Sequence, residues 1–271
     1  MSIVIGLDIG GSTTKIIGLQ DRRLISQELV KASDPVASAF GALGKFISEN
    51  HLGLKDLTRI MVTGVGASFL SGNLLGIPTI RTAEFKAIGL GGLYVSNVSE
   101  AIVVSMGTGT AIVRAKDDLV EHVIGTGVGG GTLLGLSNRM INVRDFDMFN
   151  ALAEKGDLAH IDLTIGDITH DDLPGLSADT TASNFGKVTD TATHEDIALG
   201  IVNLVFQSIG TSAVMAARQS GLSKIVFTGN LTLVTSGKRV LQAFAKLYNM
   251  DIIVPESAEF ATAIGAALCQ P

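Results

Sequence analysis

The sequence predicts an α/β protein of two lobes, each built on a mixed β-sheet. Two hairpins support this prediction, because residues 3–19 and 101–114 each read as strand, Gly/Ser/Thr turn and strand. The segments D-I-G-G-S-T and S-M-G-T-G-T, which begin 97 residues apart, align within these hairpins and indicate a duplicated unit. Strands and helices alternate after each hairpin, which is the order expected of α/β lobes with a mixed sheet.

The first lobe is predicted to span residues 1–95. Asp34 followed by Pro35 is typical of a helix start, because Asp caps free backbone N–H groups and Pro suits the first helical position. Apolar spacing and β-branched runs predict the other elements. These are strands at 3–8, 14–19, 24–30, 59–63 and 78–80, a helix from 35 to about 47, and a glycine-rich helix at 83–96.

The second lobe is predicted to span residues 96–271, although no change of composition marks the boundary. Its hairpin is followed by a strand near 119–124 and by three helices. The predicted elements are helices at about 129–140, 145–155 and 194–220, and strands at 224–228 and 250–254 that each precede a helix.

Residues 197–217 have no charged side chain over 21 positions, which is long enough to span a bilayer. Polar residues lie inside the segment, Asn203 among them, and no basic cluster flanks it. Thr193 with Asp196 predicts a capping box, and Gly221 predicts a helix stop. A buried core helix is therefore favoured over a membrane span.

Composition narrows the class of protein. Hydrophobic residues make up 46% and charged residues 17% of the 271 positions, which favours a large core and excludes a disordered chain. The net charge of −6 offers no basic surface for nucleic acid or for anionic lipid. One cysteine, Cys269, can form neither an internal disulfide nor a cysteine metal cluster, and no signal peptide is recognisable, so a cytoplasmic location is expected.

The two hairpin turns are candidates for phosphate binding. A Gly/Ser/Thr turn exposes backbone N–H groups that can bind phosphate oxygens, and hydroxyl groups add further donors. Two such turns, one in each lobe, are suited to hold a polyphosphate from both sides. A third glycine run, G-T-G-V-G-G-G at 125–131, is typical of a helix start that attracts anions. Either turn alone is equally compatible with an ordinary hairpin, and neither a P-loop nor a dinucleotide-binding motif is present.

Asp8 lies at the end of the first strand beside the first turn, and Lys15 lies on the return strand. Phosphoryl transfer uses Mg²⁺, which a carboxylate can hold directly or through water, and a lysine can neutralise phosphate charge. The alternative is that Asp8 only caps the turn and that Lys15 is an exposed charge. Their position beside the glycines favours the phosphate role.

Glu84 follows the strand at 78–80. From the residues alone, an acidic group in the first turn of a helix is the favoured interpretation. A general base would have to reach a substrate hydroxyl, which a sequence does not reveal. The histidines have no metal-ligand spacing, and the absence of a G-x-S-x-G motif gives a serine hydrolase no support.

Six sequence blocks, in order, resemble the type II pantothenate kinases of the actin/hexokinase/Hsp70-like superfamily. They are D-I-G-G-S-T-T-K, A-E-F, S-M-G-T-G-T, G-T-G-V-G-G-G-T-L-L-G-L, D-L-T-I-G-D-I and A-S-N-F-G. The resemblance covers about residues 3–268. The first block marks only the superfamily, whereas the G-G-G-T-x-x-G-L and A-S-N-F-G blocks are much more specific.

This resemblance implies two actin-like (ribonuclease H-like) lobes around a nucleotide cleft, ATP and Mg²⁺ as cofactors, and a homodimer. It implies transfer of the γ-phosphate to the primary hydroxyl of pantothenate, the first step towards coenzyme A. Glu84 then becomes the expected general base, Asp8 the magnesium ligand, and Glu84, Thr108 and His122 the acceptor-binding residues. The residues expected to contact nucleotide are Gly10, Gly11, Ser12, Thr13, Lys15, Thr108, Gly127, Gly129, Gly130, Gly131, Gly229 and Asn230.

Two positions depart from the family pattern. His122 stands where many members have an arginine that reaches the substrate, and Ala111 stands where many have a serine. Histidine cannot reproduce the two-pronged binding of a carboxylate by arginine. Two alternatives therefore stay open: a kinase of the same fold that acts on another small hydroxyl compound, and a non-kinase ATP-binding switch or activator ATPase.

Overall fold

The computed structural model describes residues 2–11, 13–31, 34–171 and 173–269. The first lobe contains a five-stranded sheet and a helix that covers one face of it. Its elements are β1 (Ile3–Ile9), β2 (Thr14–Gln20), β3 (Arg23–Val30), α1 (Pro35–Glu49), β4 (Leu57–Thr63), β5 (Thr79–Arg81) and α2 (Glu84–Ser96).

The second lobe contains another five-stranded sheet with a larger set of helices. Its elements are β6 (Glu100–Met106), β7 (Thr110–Lys116), β8 (Leu119–Thr126), α3 (Gly130–Ile141), α4 (Phe146–Ala153), β9 (Leu163–Thr164), α5 (Ile165–Ile168), β10 (Thr181–Ser183), α6 (His194–Gln219), β11 (Lys224–Thr228), α7 (Thr235–Tyr248), β12 (Asp251–Ile253) and α8 (Ala261–Leu268).

The two large sheets have the same topology. The first has the order β3-β2-β1-β4-β5, with β1–β2 and β2–β3 antiparallel and β1–β4 and β4–β5 parallel. The second has the order β8-β7-β6-β11-β12, with the same alternation of directions. Strand β6 therefore corresponds to β1, β7 to β2 and β11 to β4. The predicted duplication of a hairpin-based unit with a mixed sheet is confirmed.

Two predicted helix starts form as expected. Asp34 accepts a hydrogen bond from the Ala37 backbone N–H, with Pro35 at the first helical position. At the start of α6, Thr193 and Asp196 form the reciprocal capping box. In both cases a side chain satisfies an N–H group that has no partner within the helix.

Helix α6 is the central helix of the second lobe. Its side chains, including the fully buried Phe206 and Ile209, pack in one core with strands β6, β7 and β11. It is the one helix in the described residues that is long and apolar enough to cross a membrane, and 61% of its most apolar window is buried in the protein. The predicted assignment as a core helix is consistent with this packing.

Helices α2 and α8 are exchanged between the lobes. Helix α2 follows the strands of the first lobe, but its Ile88 and Leu93 pack against the second sheet. Helix α8 ends the chain after the second sheet, but its Ala263 and Ile264 pack against the first. A Cβ at Gly91 would overlap the backbone of α8, so the two helices cross in direct backbone contact. The division at residues 95 and 96 stays a prediction, and this exchange shows that packing does not follow it.

Residues 157–193 hold short elements that the sequence did not predict, including the β9–β10 pair. The fully buried Asp162 organises them, because its carboxylate accepts hydrogen bonds from the Phe185 N–H at 2.9 Å and the Asn203 side-chain amide at 2.6 Å. The D-L-T-I-G-D-I and A-S-N-F-G blocks therefore meet around one buried carboxylate, which is satisfied by hydrogen bonds.

Candidate nucleotide and acceptor site

The first hairpin places a carboxylate and an ammonium group opposite one another. Asp8 on β1 pairs with Lys15 on β2, and Lys15 Nζ lies 3.9 Å from Asp8 Oδ2. The turn between the strands is closed by a hydrogen bond from the Gly10 N–H to the Thr13 carbonyl at 3.0 Å. Ser12, which was predicted to contact nucleotide, lies outside the described residues.

This pair is largely withdrawn from solvent, with 13% of the Asp8 side chain and 9% of the Lys15 side chain exposed. Burial raises the pKa of Asp8 above its ordinary value of 3.8, while the positive charge of Lys15 acts in the opposite direction. The Lys15 ammonium group is thus buried beside a carboxylate instead of extending into solvent. The prediction of an exposed strand charge, which was the alternative for Lys15, is therefore wrong.

The second turn is held by the start of α3. The Gly130 and Gly131 N–H groups donate to the carbonyls of Gly107 and Thr108, at 2.8 Å and 2.9 Å. The first N–H groups of a helix lack partners within it, and here the turn supplies them. The expectation that this helix start offers free N–H groups to an anion is therefore corrected for Gly130 and Gly131, whose amides are engaged in this structure.

The other two glycines of the third run, Gly127 and Gly129, lie at the same junction. The Gly129 N–H donates to Thr132 Oγ1 at 3.3 Å, and Thr132 Oγ1 donates to the Gly127 carbonyl at 3.0 Å. A Cβ at Gly129 would lie 2.6 Å from the Thr108 carbonyl oxygen, so a glycine is needed for this close approach. The observed role of the run is to fix the shape of the second turn.

The two turns face each other across the lobes. A Cβ at Gly11 would lie 3.7 Å from Thr108 Oγ1, which is an ordinary contact distance. Asn230, the second residue after β11, donates from Nδ2 to Thr13 Oγ1 at 3.3 Å. The neighbouring Gly229 has φ +89° and packs against Met106 at the end of β6. The structure thus brings Gly11, Thr13, Thr108 and Asn230 into one place.

Glu84 is the first residue of α2, and Ala83 before it provides no side-chain cap. Although Glu84 is exposed at this position, desolvation of its carboxyl group raises its pKa above 4.5, and the negative charge of Asp8 raises it further. The Asp8 carboxylate is therefore close enough for its charge to act on Glu84. A helix N-terminus by itself stabilises the charged form, so at Glu84 burial and the charge of Asp8 outweigh that effect.

The ring of His122 on β8 stacks on the ring of Phe85, the residue that follows Glu84. The ring centroids are 4.1 Å apart and the planes differ by 13°. Ala111 lies on the adjacent strand, where it pairs with Gly125 of β8 and with Ser105 of β6. The structure thus places His122 against Phe85, the chain neighbour of Glu84, and a shared acceptor face for Glu84 and His122 stays a prediction. Phe85 was missed from the sequence, because a stacked partner is a tertiary contact.

Sequence reasoning also missed Gly64, which follows β4. It has φ +85°, and a Cβ there would lie 2.6 Å from Asp8 Oδ1. A signal was present in the sequence, since a strand ends in Thr and is followed by Gly both at 63–64 and at 228–229.

The carboxylate groups available at this site, Asp8 and Glu84, suit a magnesium ion that arrives with the nucleotide better than a permanent metal centre. Within residues 2–11, 13–31, 34–171 and 173–269, no group of three or more His, Cys, Asp or Glu side chains is arranged to hold a metal. Mg²⁺ in kinase sites is typically held by one or two carboxylates together with substrate phosphates and water. Asp8, with Glu84 nearby and the glycine turns alongside, fits that pattern.

Curated relatives cover nearly the whole chain. Proteins named type II pantothenate kinase from Bacillus cereus and Bacillus anthracis are 28% and 29% identical to it, over 99% of this chain and 98% of their own lengths. A protein of the same name from Staphylococcus aureus is 28% identical over 97% of both chains. The resemblance to type II pantothenate kinases is confirmed.

Solved structures share the fold at low identity. The activator of 2-hydroxyisocaproyl-CoA dehydratase from Clostridium difficile, with bound ADPNP, gives a TM-score of 0.70 at 18% identity, over 98% of this chain and 93% of its own. A ROK family glucokinase from Streptomyces griseus, with glucose and AMPPNP, gives 0.62 at 12% identity, over 98% of both chains. The predicted fold of two actin-like lobes is confirmed.

The family model described as Fumble matches residues 93–255. This match begins in α2 and includes the second hairpin, the third glycine run, the segments that meet around the buried Asp162, and α6. It covers more than half of the chain, and we conclude that the chain belongs to the Fumble family.

Proposed function

We propose that the chain is an ATP-dependent kinase that phosphorylates pantothenate to 4'-phosphopantothenate, the first step of coenzyme A biosynthesis. The observation that carries the proposal is that the glycine turns of the two lobes meet, with Gly11 against Thr108, at the end of the hairpin that bears Asp8 and Lys15. The names of the curated relatives support pantothenate as the acceptor.

In this proposal the nucleotide phosphates lie between the two turns. Gly11 and Thr13 contribute from the first lobe, and Thr108 contributes from the second. The Gly10 N–H is engaged by the Thr13 carbonyl, so a contact from Gly10 to phosphate stays a prediction. Lys15 adds the positive charge that phosphate oxygens require, while Gly229 and Asn230 lie towards the adenosine. Gly127 and Gly129, with Gly130 and Gly131, support the second turn, and contacts from them to phosphate stay a prediction.

Asp8 would hold the Mg²⁺ ion that accompanies ATP, directly or through water. When bound, Mg²⁺ neutralises the charge on the phosphate oxygens and so assists phosphoryl transfer. Burial raises the pKa of Asp8, and the positive charge of Lys15, 3.9 Å away, opposes that rise.

Glu84 would accept the proton of the acceptor hydroxyl as the oxygen attacks the γ-phosphate. A general base works best when its pKa approaches the working pH, and both causes of the raised pKa of Glu84 act in that direction. Its place at the start of α2 puts the base beside the Phe85–His122 stack, which would form one wall of the acceptor site.

A second candidate is a kinase of the same fold that acts on another small hydroxyl compound. The stacked His122 favours it, because this ring occupies the place where the resemblance expects an arginine. A guanidinium binds a carboxylate through two parallel hydrogen bonds, and an imidazole does not. Acceptors without a carboxylate are therefore part of the test.

A third candidate is an ATP-binding switch or activator ATPase. The similarity in fold to dehydratase activators favours it, including the component A protein from Acidaminococcus fermentans with a TM-score of 0.69. Glu84→Gln separates this candidate from the kinases, because a switch needs nucleotide binding and lobe closure but no base for an acceptor hydroxyl.

The test is a screen of purified protein with ATP, Mg²⁺ and a panel of acceptors. The panel contains pantothenate, neutral pantothenate amides and simple sugars, and mass spectrometry detects the phosphorylated product. Transfer to pantothenate at useful efficiency is the expected result. Transfer to another compound alone would overturn the pantothenate assignment, and ATP hydrolysis without transfer would overturn the kinase. The homodimer and the cytoplasmic location stay predictions, and light scattering tests the first.

A further inference from the structure

A Thr-Gly turn occupies the same place in both lobes. Strand β4 ends at Thr63 and is followed by Gly64 with φ +85°, and β11 ends at Thr228 and is followed by Gly229 with φ +89°. Each glycine packs against the backbone at the end of the neighbouring strand. A Cβ would lie 2.5 Å from the Ile9 carbonyl oxygen at Gly64, and 2.6 Å from that of Met106 at Gly229. This backbone arrangement is therefore a shared property of the duplicated unit.

The two turns differ in the side chain that they face. Gly64 faces the side chain of Asp8. A Cβ at Gly64 would lie 2.6 Å from Asp8 Oδ1. The corresponding residue in the second lobe is Ser105, which has a short side chain. Ordinary contacts begin at 3.4 Å, so a side chain at Gly64 would require the Asp8 carboxylate to move by about 0.8 Å.

The two oxygens of Asp8 are thus placed by different neighbours. Oδ2 lies 3.9 Å from Lys15 Nζ on β2, and Oδ1 lies against the bare Cα of Gly64 on the opposite side of β1. A shift away from Gly64 changes the position of the carboxylate relative to Lys15 and to Glu84.

We propose that Gly64 is a positioning residue for Asp8: its missing side chain leaves the space in which the carboxylate stands beside Lys15 and faces the cleft. The geometric part of this proposal stands on the contacts alone. Its consequence for catalysis rests on the proposed function, in which Asp8 holds Mg²⁺ with the nucleotide.

The competing explanation is that Gly64 is needed only for its positive φ and its contact with Ile9. Gly76 provides a matched control, because it has φ +79° and a Cβ there meets no atom within 4 Å. Gly76→Ala therefore introduces the backbone strain without a collision. Asp8→Ser removes the carboxylate and reproduces the side chain that the second lobe has at Ser105.

The first experiment measures thermal unfolding in a double-mutant cycle of Gly64→Ala with Asp8→Ser, and in a parallel cycle of Gly76→Ala with Asp8→Ser. We expect Gly64→Ala to lower Tm by at least about 2 °C more in the presence of Asp8 than in the background of the Asp8→Ser substitution. Gly76→Ala should lower Tm equally in both backgrounds.

Equal effects of Gly64→Ala in the two backgrounds would overturn the proposal. The same conclusion follows if both variants that carry Gly64→Ala fail to fold while Asp8→Ser alone folds, because the Ile9 contact would then explain Gly64 completely. Folding of the double variant but not of Gly64→Ala alone would support the proposal.

The second experiment measures the Mg²⁺ dependence of phosphoryl transfer. Gly64→Ala should lower kcat by about a hundredfold, or raise the Mg²⁺ concentration for half activation, with little change in the acceptor KM. Gly76→Ala should behave as the wild type. Absence of transfer by the wild type would count against the proposed function and leave the unfolding cycle to decide the role of Gly64. Equal activity of the Gly64→Ala and Gly76→Ala variants would overturn the positioning role and leave the kinase intact.

Discussion

Phe85 and His122 lie face to face, with ring centroids 4.1 Å apart and planes that differ by 13°. One ring comes from the first turn of α2 and the other from strand β8 of the second sheet. Since Phe85 directly follows Glu84, this stack fixes the side of the cleft at which the acceptor is expected.

His122→Ala should raise the acceptor KM by about fivefold, because an aromatic pair of this kind contributes roughly 1 kcal/mol. The KM for ATP should stay unchanged. His122→Phe is the matched control, since it keeps a ring on Phe85 and removes only the nitrogens. Steady-state kinetics with both substrates varied provide the measurement. An equal rise in KM for the Phe and Ala variants would show that the nitrogens, and not the stack, contact the acceptor.

Glu84→Gln should reduce kcat for phosphoryl transfer by about a hundredfold or more, because the amide cannot accept the hydroxyl proton. Binding of a non-hydrolysable ATP analogue, measured by calorimetry, should be preserved. Glu195→Gln serves as the control, because Glu195 is also a first-turn acid, on α6. Full transfer activity of Glu84→Gln would refute the general-base role and favour the ATP-switch candidate.

The raised pKa of Glu84 also predicts the pH dependence of stability. The folded state holds this proton more tightly than the unfolded state, whose pKa is near 4.5, so the stabilisation is present below that value. It is lost as the pH rises through the folded pKa. Relative to Glu84→Gln, the wild type should therefore lose free energy of unfolding as the pH rises from about 4 to 7. Denaturant titrations at several pH values measure this difference, and the opposite trend would contradict the raised pKa.

Lys15→Met should destabilise the protein by about 3 kcal/mol, because it leaves the Asp8 carboxylate buried without its counter-charge. The ATP KM should rise as well. Lys31→Met is a close control, since the Lys31–Asp147 pair has the same 3.9 Å separation but its side chains are 71% and 79% exposed. That change should alter stability by less than about 1 kcal/mol. Equal effects of the two substitutions, measured by urea unfolding, would show that burial of the Asp8–Lys15 pair contributes little.

Much of the fold is predictable from local patterns. The strands with β-branched runs, such as 3–8 and 14–19, agree with β1 and β2 because alternation and turn residues are encoded within a few positions. The helix caps predicted at Asp34 and Thr193 are present in the structure for the same reason. The duplicated hairpin motif then indicated two related sheets.

Other features depend on contacts between distant segments. The engagement of the Gly130 and Gly131 amides depends on the turn at Gly107 and Thr108, which lies well before them in the chain. The closeness of Gly64 to Asp8 and the stack of Phe85 on His122 are likewise set by packing. No periodicity or local propensity encodes such contacts, so the composition of the acceptor face was accessible only through the structure and the family resemblance.

The two halves of the chain exchange helices α2 and α8 in the way that the subunits of a domain-swapped dimer exchange an element. Each half contributes its last helix to the sheet of the other, and Gly91 lets the two helices touch along their backbones. One repeat alone would leave a sheet face uncovered, and a second copy is the simplest way to cover it. Within this one chain each half therefore completes the fold of the other, and separating the halves would expose the sheet face that the exchanged helix covers.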